Sequence, residues 1–270
     1  MGVKRARFTI KQVFLLTVLV AAVTSFLVAY GPHLLWASKS TVSPEFAAMR
    51  EVDFEPSRST ESFVTCAFAG LRFRIPETML AQANVHRAAP DQVWITFEDS
   101  VRQLSLPLQS DNLDSLIAHP PRSLREGSLS QLLEFVVSSA SSDFSLQLSH
   151  SQLQEHLWAL KTRAALNVDS QSIDRYSRLR ADNFDCILLS ANPLSMDSKS
   201  RLRSILVWET TKGSRRGSFW IGDARKRRVF WIDTFVTSLK MEQDTDLSPA
   251  MAQELTDEEL LAQLVVVDDE

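Results

Sequence analysis

Residues 13–30, VFLLTVLVAAVTSFLVAY, run for eighteen positions without a charge, and only Thr17, Thr24 and Ser25 among them are polar. GPHLLWA carries the apolar character on to Ala37. A helix from Val13 to Trp36 measures about 36 Å at 1.5 Å per residue, enough to cross a hydrocarbon core. Val13, Phe14, Leu15, Leu16, Val18, Leu19, Val20, Phe26 and Leu27 supply its apolar surface, and Tyr30 and Trp36 suit the far interface as aromatic anchors. Lys4, Arg5, Arg7 and Lys11 precede the run, whereas only Lys39 and Arg50 follow closely. That bias places residues 1–12 in the cytoplasm and everything after residue 37 outside, as a single-pass protein of the cell membrane whose first partner is the lipid bilayer. The rival is a cleaved signal peptide that releases a secreted domain. Signal peptides have shorter apolar regions and end at small residues, whereas Leu35-Trp36-Ala37 puts a bulky residue at the cleavage site. The reading is a retained signal-anchor over residues 13–37.

With 270 residues and 44% apolar composition, the remainder can bury a core. Residues 38–60 are polar, hold two prolines and lack sustained periodicity, which reads as a linker. Residues 61–240 then alternate between strand and helix patterns. SFVTCAF (62–68), LRFRI (71–75), VWITFE (93–98) and VRQLSLPL (101–108) are rich in β-branched and aromatic residues between breakers. Leu129, Leu132, Leu133, Val136 and Val137 recur at helical spacing after a capping box of Ser128 and Gln131. A second helix, SQLQEHLWALKTRAAL, has the stripe Leu153, Leu157, Leu160 and Ala164 and the box Ser151–Gln154. Strands return at 184–190, 202–210, 217–222 and 227–236, the middle ones as a meander. ILVW and VFWI are apolar on consecutive positions, so both faces of their strands are covered. Fold class is therefore α+β: an antiparallel sheet covered by helices, preceded by one N-terminal transmembrane helix.

Two patches carry a resemblance. Gly70-Leu71-Arg72-Phe73-Arg74-Ile75-Pro76 is similar to the strand-then-proline opening of PsbP-like domains, and Ser238-Leu239-Lys240 is similar to their closing turn. The Trp usual after the proline is absent here. The resemblance implies a secreted or membrane-tethered α+β domain over about residues 61–240. It implies no reaction and no functional residue, because that family shares a shape rather than a chemistry.

After Lys240 there is no Lys or Arg, while residues 241–270 hold ten acids. Set against a chain total of −4, that leaves +6 for residues 1–240. Thr256 and Glu259 form a capping box, Leu255 and Leu260 fit a hydrophobic staple, and Leu260, Leu261, Leu264 and Val265 make one stripe. The pattern predicts a short amphipathic helix over about 257–266, in a tail that either docks back over the basic surface of its own domain or stays solvated.

No motif identifies a reaction. Seven glycines leave no Gly-rich phosphate loop, and the histidines (His33, His86, His119, His150, His156) include no pair four residues apart. Glu51, Asp53 and Glu55 lack the glycine and terminal glutamate of a calcium loop and read as a solvated linker. There is no G-x-S-x-G, so no catalytic residue, metal ligand or cofactor is assigned. Cys66 and Cys186 lie in apolar strand patterns and read as buried free thiols. The alternative is a disulfide closing a loop of about 120 residues, worth about 4–5 kcal/mol in the chain-entropy account. Arg225, Lys226, Arg227 and Arg228 are flanked by Phe219, Trp220, Phe230 and Trp231, a mixture that can mean nucleic-acid binding. As a hairpin tip between two core strands, however, the cations emerge together while the aromatics turn inward. Anionic lipid headgroups or an acidic protein partner fit that tip better than nucleic acid. The sequence thus favours an extracytoplasmic binding or scaffolding domain over an envelope hydrolase whose site forms only in three dimensions.

Overall fold

The structure is a computed structural model. It describes residues 10–40, 49–54, 61–89, 92–108, 117, 119–140, 147–166, 173–181, 183–191, 202–210, 215–224, 230–241 and 249–267. The N-terminal run is one helix, α1 (Ile10–Ser40), within which Val13–Gly31 is long and apolar enough to cross a membrane. Strand β1 (Arg50–Glu51) follows, then β2 (Phe63–Phe68), β3 (Leu71–Pro76), the one-turn α2 (Glu77–Leu80), β4 (Asn84–Ala89), β5 (Gln92–Glu98) and β6 (Arg102–Pro107). Helices α3 (Leu129–Ser138) and α4 (His150–Leu166) come next, then β7 (Ile173–Arg180), β8 (Phe184–Ala191), β9 (Leu202–Thr210) and β10 (Arg216–Asp223). The chain closes with α5 (Phe230–Ser238), β11 (Lys240–Met241), α6 (Pro249–Glu254), α7 (Asp257–Ala262) and β12 (Val265–Val267).

Two sheets form. The larger has the order β1-β7-β8-β9-β10-β6-β5-β4, and the smaller β11-β3-β2-β12. Every pairing is antiparallel except β1 with β7. Successive residues of the central strands go to opposite cores, as the two-residue period of a strand requires. Cys186, Leu188, Leu206 and Trp208 join one buried cluster, and Ile187, Leu189, Ile205 and Val207 the other. The expectation that both faces of ILVW are covered is met. The two helices expected to cover the sheet take one face only: α3 packs there with Leu129, Leu132, Leu133, Val136 and Val137, and α4 with Trp158, Ala159 and Leu166. The second sheet and α5 cover the other, and Phe73 of β3 is the hub between them. Its ring meets Phe97, Phe219 and Phe235 at 5.8, 5.9 and 5.7 Å, each nearly edge-on.

The capping box of Ser128 and Gln131 forms as expected. At α4 the cap lies two residues earlier than expected, with Ser149 Oγ accepting from the Gln152 amide. The face of α4 also differs from the expected stripe. Leu157 is half-buried and Ala164 exposed, while Leu153, Trp158, Ala159, Leu160, Arg163 and Leu166 are buried. Residues 230–236, expected as strand, form helix α5. Trp231, Ile232, Phe235, Val236 and Leu239 are all buried at i, i+1, i+4, i+5 and i+8, a helical stripe inside a run that looked continuous. Trp231 Nε1 donates to the buried Asp223 Oδ2 at 2.8 Å and fixes the start of the helix against β10.

The expected boundaries also shift. Residues 49–54, assigned to the linker, belong to the domain through β1, and the domain does not end at 240. Residues 265–267 pair with β2 as β12, with Val266 opposite Cys66. The tail's capping box forms at Thr256 and Glu259, but α7 ends at Ala262 rather than 266. The chain must extend to reach the β2 edge, so Val265 leaves the expected stripe and is exposed, whereas Leu260 is fully buried. The tail rests on β2 and β4, where Arg87 Nε lies 2.8 Å from Asp257 Oδ1 and Arg87 Nη2 donates to the Leu255 carbonyl at 2.6 Å.

Candidate functional site

The residues assigned from sequence divide three ways. The α1 side chains Val13, Phe14, Leu15, Leu16, Val18, Leu19, Val20, Phe26, Leu27 and Tyr30 are all exposed. Trp36 lies in that helix, but its side chain is outside the described residues, as are Arg225, Lys226, Arg227 and Arg228. The hairpin imagined for that basic segment does not exist, because β10 pairs with β9 and β6 and the following element is a helix. Cys66 and Cys186 are both buried and free. Burial pushes their thiols up to about 11 and about 12 respectively, so neither is a nucleophile at neutral pH.

The charged groups that do converge are others. Helix α3 crosses the β7–β8 end of the large sheet, and a cavity of about 440 Å³ opens between them. Glu51, Glu134, Val137, Tyr176, Arg178, Arg180 and Ile187 line it. The local reasons are simple. Tyr176, Arg178 and Arg180 alternate along β7 and so share one face. Ser130, Glu134 and Val137 fall at i, i+4 and i+7 on α3 and so share one stripe. Register sets Glu51 of β1 beside Tyr176 and Asp185 of β8 beside Arg180.

Arg178 is the organising group. Its Nη2 donates to Asp185 Oδ2 at 2.8 Å and to Ser130 Oγ at 2.6 Å, and its Nη1 donates to Glu134 Oε2 at 3.0 Å. Ser130 Oγ in turn donates to Asp185 Oδ2 at 2.7 Å. Burial alone would raise the Asp185 carboxyl, but the Arg178 and Ser130 hydrogen bonds and the Arg180 charge outweigh it and hold it below the usual range. The same bond to Asp185 holds Arg178 charged. At the other end the Tyr176 hydroxyl donates to Glu51 Oε2 at 3.1 Å, and burial followed by that carboxylate pushes the phenol up. Arg180 is 67% exposed and its nearest carboxylate oxygen is 3.9 Å away.

The proton chemistry of these groups follows from their partners. Ser130 meets a carboxylate directly, with no imidazole between them to take its proton. Asp185, held ionised well below neutrality, is a weak base. Among the described residues, no three His, Cys, Asp or Glu side chains gather as a metal site. His156 lies against the Phe135 ring and His150 Nε2 pairs with Gln154 on the surface of α4, away from the cleft.

Sequence reasoning missed this cleft. DRYSRLR lacks an apolar alternation, so β7 was not expected, and Glu51 read as a linker acid. The signal was the alternation of Tyr176, Arg178 and Arg180 itself, which places three hydrogen-bonding side chains on one face of any strand. Comparison with family models, with curated proteins and with solved structures returned no match.

Proposed function

We propose that the chain is a single-pass, membrane-anchored binding protein, with its N-terminus cytoplasmic and its α+β domain outside, and that the cleft under α3 is where it holds a small polar ligand. The observation that carries the reading is the convergence of Tyr176, Arg178, Arg180, Glu51 and Glu134 around a cavity of about 440 Å³ with an apolar floor of Val137 and Ile187. The volume lies in the range of small-molecule sites, and a lining more charged than is usual for them favours a polar ligand. The basic flank before α1 supports the orientation.

The anchor and the cleft are close in the chain. Eight residues, 41–48, separate α1 from Met49, and that length spans at most about 30 Å. Met49 N donates to the Val137 carbonyl at 3.0 Å and Val52 N to the Tyr176 carbonyl at 2.8 Å, so the segment arriving from the anchor forms one wall of the cleft. Ligand held there sits near the membrane surface. Anionic headgroups or an acidic partner remain the proposed contacts of Arg225, Lys226, Arg227 and Arg228, which lie outside the described residues. The PsbP-like resemblance belongs to the same proposal. The two patches that carry it touch, since Arg74 N donates to Ser238 Oγ at 2.8 Å and Lys240 pairs with Arg72.

The test has two arms. Protease added to intact cells should remove the domain and leave a protected N-terminal fragment, and a mature protein beginning near Ser38 would replace anchoring with secretion. Full-length chain in lipid nanodiscs should gain thermal stability from members of a panel of charged small solutes, and the exposed substitution Arg180→Glu should abolish the gain. Turnover of any panel member would replace the binding reading with the envelope hydrolase.

A further inference from the structure

The charges of the cleft are not mixed at random, and their order along β7 points to a ligand class. The middle is self-neutralised, because Arg178 is engaged by Asp185 and Glu134. The ends are not. Beside Tyr176 stands Glu51, a carboxylate whose contact there is a neutral phenol. Four residues along the same strand stands Arg180, exposed and only loosely held by Asp185. The lining is therefore negative at one end and positive at the other, about 13 Å apart along the strand at 3.3 Å per residue. Val137 and Ile187 form the apolar floor between the ends.

We infer that the cleft takes a short extended peptide with both termini free, its amino group at Glu51 and Tyr176 and its carboxylate at Arg180. This rests on the binding reading above and narrows it. An extended tripeptide places its terminal charges about 10 Å apart, close to the separation of the cleft's ends. A guanidinium takes a carboxylate through two parallel hydrogen bonds, and a carboxylate beside a phenol suits an ammonium. Val52 already occupies the sheet edge beside Tyr176 and Ser177, so the ligand lies over the face of β7 under α3. The separation of the ends favours a peptide over a free amino acid, whose two charges lie within about one residue's span, roughly 3.5 Å.

Tri-alanine, N-acetyl-tri-alanine and tri-alanine amide are the probes, titrated calorimetrically into full-length chain in nanodiscs. Tri-alanine should bind, and blocking either end should weaken it by about tenfold, the loss of one charge-assisted contact. Glu51→Gln should make the acetylated and free peptides equal while leaving the amide effect in place, and Arg180→Gln should do the reverse. Both side chains are exposed, so neither change removes a core contact. Equal binding of all three probes overturns the inference, as does binding of tri-alanine that neither substitution alters. If tri-alanine fails while other charged solutes stabilise the chain in an Arg180-dependent way, the peptide class is wrong and the binding reading stands. If nothing in the panel binds, both fall.

Discussion

Leu260 decides whether the C-terminal tail is part of the fold or an appendage. It lies in α7, is fully buried, and belongs to the same core as Phe73, Phe97 and Phe235, with Ala252 buried and Leu255 and Leu264 packed beside it. Leu260→Ala removes a fully enclosed side chain and should cost about 3 kcal/mol, within the range of about 2–5 for such cavities. The exposed Arg87–Asp257 pair adds little, about 0–1 kcal/mol. In a domain of about 200 residues the loss should lower Tm by about 6–12 °C if unfolding stays cooperative. There is a ceiling, because the tail is held by one buried leucine, its small neighbours and the three-residue strand β12. If undocking it takes less than the cavity costs, the variant releases the tail and the domain stays folded. Hydrogen exchange separates the two outcomes. Release exposes the amides of β2 that face β12, while those of β8 and β9 remain protected. Denaturant unfolding of the full-length variant with an unchanged midpoint, together with unchanged protection of β2, would refute the docking of this tail.

Three other outcomes follow from local geometry. Gly217 lies opposite Trp208, and a Cβ added there would meet the indole at 2.8 Å, so Gly217→Ala should cost about 1–3 kcal/mol in denaturant unfolding and shift tryptophan fluorescence. Asp99 is the acid-sensitive carboxylate. Burial would raise it, but bonds from the Arg102 side chain, the Val101 and Arg102 amides and the Thr78 hydroxyl lower it to about 2. Its contribution, about 2 kcal/mol, is present above about pH 4 and lost as pH falls towards 2, so Asp99→Asn should flatten that part of the stability–pH curve. Cys66 and Cys186 should resist maleimide at pH 8 in the folded chain and both react in denaturant without a reductant, and failure to react there would reveal a disulfide.

Legibility in the sequence followed the physics of each segment. Strands β2, β3, β5, β8, β9 and β10 were readable because each combines β-branched or aromatic residues with clean breakers, β6 because Leu104 and Leu106 alternate with Gln103 and Ser105, and α3 because its five core residues repeat at helical spacing behind a cap. The turn between β2 and β3 shows how little marks some elements: Ala69 and Gly70 both have positive φ, 51° and 70°, in a two-residue loop whose first position usually holds Asn or Asp. Helix α5 was misread because a helix buried almost all round and a strand buried on both faces look alike over a short apolar run. Length could not arbitrate, since nine residues suit either. The tail was half legible. Its cap is local and could be read, but β12 depends on an edge of β2 that only the assembled sheet supplies.

The cleft was illegible for a related reason. Its members come from β1, α3, β7 and β8, elements spread over more than a hundred residues of chain, and none carries a motif by itself. What joins them is topology. Adding β1 in parallel to β7 brings Glu51 beside Tyr176. Crossing α3 over β7 and β8 brings Glu134 to Arg178. A parallel two-residue strand needs a reason to form, since it contributes few hydrogen bonds. Here the reason is burial of Met49 in the α3 core and the bonds of Val52 to Tyr176 and of the Ser177 hydroxyl to the Val52 carbonyl. The same segment is the tether to α1. Pull transmitted through residues 41–48 therefore acts first on β1, the weakest strand of the large sheet and the one that supplies the acidic end of the cleft. Glu51 leaves the site if β1 peels away, while Arg178 and Arg180 stay on β7. If the helix is the anchor and the cleft the ligand site, as proposed, coupling between them appears as a change at the Glu51 end, with the Arg180 end unaffected.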